Sequence, residues 1–219
     1  MKTDSDIKRD VEVELRWSPD VDETDIAVKV NGSVVTLTGF VHTYFEKYQA
    51  ESAVKRIAGV AGVANDIQVS LPSTEGPEDP EIARAAVAAV RFVLPTNTDN
   101  VKVLVHKGHV TLEGAVEWNF QRERVESAVR NLRGVMVITN HVKVKPRVTP
   151  VPATIKHMIE DAFRRSAEVD ANHISVRADG GTVTLSGKVR TWTERTQAQQ
   201  TAWSAPGVME VRNEISIGG

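Results

Sequence analysis

Val35-Thr36-Leu37-Thr38-Gly39 recurs as Val110-Thr111-Leu112-Glu113-Gly114 and again as Val183-Thr184-Leu185-Ser186-Gly187. In each copy apolar residues alternate with polar ones, the period-two pattern of a strand with one buried face. Counting on from the last glycine, a second glycine follows after 20 residues (Gly59, Gly134, Gly207) and an asparagine after 6 more (Asn65, Asn140, Asn213), without a gap in any copy. Registers held that tightly mark an internal repeat. The offsets between copies are 75 and 73 residues, so the chain of 219 residues is three units, expected at residues 1–71, 78–146 and 151–219. Both joints are proline-rich, Pro72 through Pro77 and Pro80, then Pro146 through Pro150 and Pro152, which predicts short, stiffened linkers.

Each unit reads as αββαβ. An opening helix is expected on Ile7, Val11 and Leu15, on Ile82, Ala86, Val90 and Val93, and on Ile155, Ile159, Ala162 and Phe163, all near helical spacing. Val11 to Leu15 also alternates, so the first of these has a competing strand reading. Two strands then form a hairpin through turns containing Asn31-Gly32, Lys107-Gly108 and Gly180-Gly181. A second helix buries Ala50, Ala53, Val54 and Ile57 in unit one and Val125, Ala128, Val129 and Leu132 in unit two, at i, i+3, i+4, i+7. Thr43 with Glu46, and Thr191 with Glu194, are expected to cap it by a capping box, but unit two has Trp118 in place of the threonine. A third strand runs through Val63/Ile67/Val69, Ile138/Val142/Val144 and Val211/Ile215/Ile217. The fold class is therefore α+β: three tandem units, each a three-stranded mixed sheet with its two helices on one face and the other face uncovered.

The triplicated residues have structural readings. Gly39, Gly114 and Gly187 fall at inward positions of the second strand, where a missing side chain is expected to let the following helix approach. Gly59, Gly134 and Gly207 stand where a helix C′ residue takes positive φ. Asn65, Asn140 and Asn213 point inward and are expected to bond backbone in a neighbouring turn.

The chain carries 27 basic and 29 acidic residues, a net charge of −2, and no cysteine. That balance gives no global attraction for nucleic acid, and the absence of thiols removes cysteine zinc sites, iron–sulfur clusters and cysteine nucleophiles. The longest apolar run, Ala85 to Val90, is closed by Arg84 and Arg91, too short for a membrane span. Residues 1–17 are too charged for an export signal, so the chain as written is expected in the cytoplasm, or in the periplasm if a signal has been removed ahead of it. The histidines, His42, His106, His109, His141, His157 and His173, form no HExxH spacing, and no nucleophile elbow, phosphate loop or dinucleotide fingerprint occurs. The reading is of a non-enzyme with no catalytic residue, metal or cofactor.

Charge separates the units. Residues 1–74 carry 8 basic and 12 acidic side chains, residues 75–148 carry 11 and 9, and residues 149–219 carry 8 of each. In the middle unit Arg130, Arg133, Lys143, Lys145 and Arg147 form an acid-free run, and His141, Lys143 and Lys145 share the outward parity of the third strand. These five basic residues are the candidate site for an anionic surface, set against the plainer reading of lysines that protect a sheet edge. Tyr44, Phe45, Trp118, Phe120 and Trp192 cluster at the starts of the second helices, either as interfacial anchors or as packing between units. The helix Ile82 to Leu94, apolar around much of its girth, is a second membrane candidate.

With its strand ending in Gly39/Gly114/Gly187, its helix ending in Gly59/Gly134/Gly207 and its Val-x-Asn-x-Ile/Val third strand, each unit resembles the BON domain, named for bacterial osmotically inducible and nodulation proteins. The resemblance implies a non-enzymatic bacterial module of envelope and stress proteins, associated with phospholipid binding. Many relatives, such as the osmotically inducible protein Y group, are periplasmic, and the lack of an export signal here departs from them. The partner implied by the resemblance is a phospholipid, and with the basic run of the middle unit an anionic phospholipid surface; the alternative is a protein, in a soluble interaction or chaperone-like role.

Overall fold

The computed structural model describes residues 2–70, 76–95, 100–148, 150–166 and 169–218. The centre of the first proline-rich joint, residues 71–75, and Thr149 in the second lie outside the described residues. Unit one consists of α1 (Asp4–Trp17), β1 (Ile26–Asn31), β2 (Val34–Val41), α2 (Tyr44–Lys55) and β3 (Gly62–Val69). Unit two repeats it as α3 (Asp79–Val93), β4 (Val101–His106), β5 (His109–Val116), α4 (Asn119–Arg130) and β6 (Val137–Val144). Unit three follows with α5 (Pro152–Arg165), β7 (Ile174–Asp179), β8 (Thr182–Val189), α6 (Trp192–Trp203) and β9 (Glu210–Ile217). Pro80 and Pro152 stand in the first turns of α3 and α5, where a missing N–H leaves no helical bond unmade. The sequence stretch with two readings, Val11 to Leu15, is helical, and the capping box of Thr3 and Asp6 starts its helix.

Every sheet has the second strand in the middle, antiparallel to the first and parallel to the third. Val35, Leu37 and Val41, with Val110, Leu112 and Val116 and then Val183, Leu185 and Val189, point to the helix side and are buried. The two helices of each unit close over them, so each unit has its own core.

The frame residues act as expected in part. Gly39, Gly114 and Gly187 have φ of 124°, 135° and 136°, a region that L side chains rarely adopt. What approaches them, however, is not the following helix. A Cβ there would collide with the carbonyl oxygen of Asp25, Asn100 or His173, the residue that leads into the first strand. Gly59, Gly134 and Gly207 do have positive φ (96°, 88°, 87°), but the second helix has already ended at Lys55, Arg130 and Trp203. They are the third residues of separate β-turns, closed by Val60 N to Ile57 O, Val135 N to Leu132 O and Val208 N to Ala205 O. The asparagines bond helix rather than turn. Asn65, Asn140 and Asn213 donate to the carbonyls of Lys47, Arg122 and Arg195 within the second helix, at 3.2, 3.3 and 3.3 Å. Each accepts from the backbone N–H two residues on, tying β3, β6 or β9 to its helix.

The three units close a cycle through their second helices, the start of each meeting the end of another. Tyr44, at the start of α2, packs on the cores of units one and two, and the Arg130 guanidinium at the end of α4 lies 3.4 Å from the Tyr48 ring centre. Trp192, at the start of α6, packs on the core of unit one, with the Lys55 ammonium from the end of α2 at 5.5 Å. Trp203, at the end of α6, packs on the core of unit two and shares a cleft with Trp118 and Asn119 at the start of α4. Head-to-tail contacts of this kind leave no open end once the third is made.

Candidate functional site

The cycle uses the helix side of every unit and leaves the opposite sheet face free. In the middle unit the outward residues are Lys102, Leu104 and His106 on β4, His109, Thr111, Glu113 and Ala115 on β5, and Thr139, His141 and Lys143 on β6. Alternation fixes this, since Val103, Leu112 and Val142 occupy the other parity. Register sets Lys102 beside Glu113, Glu113 beside His141, and Ala115 beside Lys143. Lys145 lies just past β6, but its N–H still donates to Val116 O at 2.7 Å, so it keeps the side that Lys143 has. The positions that match Glu113 and His141 are Thr38 and Asp66 in unit one, and Ser186 and Glu214 in unit three; those that match Lys143 are Gln68 and Ser216.

The five basic residues read from the sequence do not form one site. Arg130 is turned away into the joint with unit one: its side chain is 13% exposed, paired with Glu126 at 3.2 Å and stacked on Tyr48. Burial raises the Tyr44 hydroxyl above its usual range, with the Glu126 carboxylate adding to it, which marks that joint as partly desolvated. Arg133 is exposed in the turn after α4, at the hairpin end of the sheet. Lys143 and Lys145 are exposed at the other end, about 25 Å away along an eight-residue strand. Arg147 joins that end, 79% exposed, with its Nε 2.6 Å from Glu117. The helix periodicity that buries Val125 and Val129 also places Arg130 near the interior, but the partner that claims it comes from another unit.

Lys102 belongs to the sheet face and was missed; the alternation of Val101, Val103 and Val105 carried the signal. The aromatics divide too. Tyr44 and Trp192 pack between units, whereas Trp118 and Phe120 remain 38% and 49% exposed. Helix α3 buries Ile82, Ala86 and Val90 in its own unit, and exposes Phe92. Among the described residues no helix is long and apolar enough to cross a membrane, and no group of three His, Asp or Glu is placed to hold a metal ion.

The BON domain family profile matches residues 3–70, 79–146 and 153–219. Osmotically-inducible protein Y of Escherichia coli (strain K12) is 30% identical over 148 residues, covering 65% of this chain and 73% of that protein. Among solved structures, the C-terminal domain of CdsD, a structural protein of the type III secretion system of Chlamydia trachomatis, matches at 12% identity over 100% of both chains. Its TM-score of 0.28 is too low to carry an argument.

Proposed function

Because the chain belongs to the BON domain family, we propose that it is a non-enzymatic module of the osmotic-stress response that meets an anionic lipid surface through the sheet face of its middle unit. The observation that carries this reading is an uncovered face on which Lys102, Lys143 and Lys145 are exposed. The matching residues are the uncharged Ala27, Gln68 and Ser70 in unit one and Ser175, Ser216 and Gly218 in unit three, and Asp66 and Glu214 stand in the place of His141. Each basic group near a charged bilayer contributes about 1 kcal/mol, and Glu113 offsets one of them, so attachment is weak and salt-sensitive. The name of the Escherichia coli relative supports the stress assignment.

Co-sedimentation with phosphatidylglycerol and phosphatidylcholine vesicles tests it. Stronger binding to the first than to the second, the excess lost as salt rises from low to about 0.5 M, is the expected result. Equal sedimentation with both, or with neither, overturns it. Exposed Phe40 on the sheet face of unit one favours a second reading, a protein partner, which a stoichiometric complex that survives high salt would support.

A further inference from the structure

The three joints of the cycle are equivalent by the repeat but not in chemistry. The first residue of the second helix is Tyr44, Asn119 or Trp192, and the last is Lys55, Arg130 or Trp203. In two joints a cation at the end of one helix stacks on an aromatic near the start of another, Arg130 on Tyr48 and Lys55 on Trp192. In the third, the cation's position is held by Trp203. It faces Asn119, which is 5% exposed and the one buried polar side chain among the described residues, and Trp118 and Phe120 flank it. A cleft of about 570 Å³ lies here, larger than the one of about 370 Å³ beside Lys55 and Trp192 in the joint of α2 and α6. Glu123 and Gln200 supply its polar lining, and Asn119 Nδ2 holds Glu123 by a bond to its Oε1 at 2.8 Å.

Aromatic faces beside a carboxylate attract a cation whose charge is spread over apolar groups, because such a cation sheds water easily and meets the negative ring faces closely. Among the described residues a cation stacks on an aromatic of each of the other two joints and none stacks on Trp118 or Trp203; Arg124, 5.1 Å from the Phe120 ring, stands at the rim. We propose that the cleft between α4 and α6 binds a quaternary ammonium group, which completes the third joint as Arg130 and Lys55 complete the others. The group is either that of a small free cation or that of a choline lipid headgroup. The cleft has room for such a group together with water, and the Glu123 carboxylate supplies the opposite charge.

Titration of the intact chain with choline, followed by tryptophan fluorescence and calorimetry, is the test, with 3,3-dimethyl-1-butanol as the uncharged isostere. Choline is expected to saturate and to bind about tenfold or more tightly than the isostere. Glu123→Gln, a change on an exposed side chain, should weaken choline severalfold and leave the isostere unchanged. Trp203→Lys places in the joint the cation that the other two contain and should abolish choline binding; melting curves of that variant show whether the joint still closes. Failure of choline to saturate, equal affinity for the isostere, or an unchanged affinity in Glu123→Gln overturns the proposal. Phosphatidylcholine vesicles separate the sources: capture that choline competes away assigns the lipid headgroup, and choline binding without capture assigns the free cation.

Discussion

Arg130 and Lys143 lie 13 residues apart in one acid-free run, yet the middle unit uses them oppositely. Arg130, at the end of α4, has its charge desolvated between Glu126 and the Tyr48 ring. Lys143, on β6, has its charge in solvent beside Ala115. Buried against an aromatic and an acid, a cation holds two units together; exposed on an uncovered face, a cation adds almost nothing to stability and is free to attract. Like charges in one sequence run therefore divide into a structural one and a set available for binding, and the division follows the two faces of the sheet.

The variant that breaks both faces at once is Gly114→Val. Its Cβ collides with the Asn100 carbonyl and its φ of 135° is strained for any L side chain, so a loss of about 3 kcal/mol or more is expected in chemical denaturation. A midpoint equal to that of the unmodified chain would refute the close approach. Arg130→Ala breaks the helix face alone. Loss of its stacking and ion pair should cost about 1–2 kcal/mol, while vesicle binding per folded molecule stays constant. If binding fell and stability held, the assignment of Arg130 would be reversed.

Lys143→Glu with Lys145→Glu breaks the sheet face alone. Stability is expected to change by no more than about 0.5 kcal/mol, and sedimentation with phosphatidylglycerol vesicles should be lost. Retained sedimentation would move the site off this face. The smallest expected effect concerns Asp79 in α3, whose carboxylate accepts from Gly108 N at 3.0 Å and Lys107 N at 2.7 Å and so pins the hairpin turn beside His106. Those bonds, that of Gly108 foremost, hold its pKa below the usual range. A depressed folded pKa means that its contribution is present above the unfolded value and is lost as pH falls through the folded one, below about pH 4. Asp79→Asn should flatten that part of the acid limb of the melting temperature, whereas unit three, with Pro152 at the matching place, has no such group to lose.

Much of the frame was legible because its signals are local and written three times. Strand alternation placed Val35, Leu37 and Val41 inward, and helical spacing found α1 through Ile7, Val11 and Leu15 despite the alternation of Val11 to Leu15. The outward side of Lys143 and Lys145 was legible by the same parity. Positive φ at Gly39 and Gly59 was foreseen only for the second of the two. At Gly39 the approaching partner was misread, because a glycine records that space is short but not which backbone fills it, and at Gly59 the place was misread, a turn beyond the helix rather than the helix end itself.

What the sequence by itself determined is thus the repeat, the order of elements within it, the sheet face each residue takes and the family. What only the tertiary structure decided is which units touch and through which residues: Arg130 on Tyr48, Lys55 on Trp192, and Trp203 across a cleft from Asn119. The reason is the range of the interactions. Periodicity reports the environment of a residue within its own unit, where strand and helix geometry fix the neighbours. The joints pair side chains far apart in sequence, and their match depends on how three separately built cores lean together.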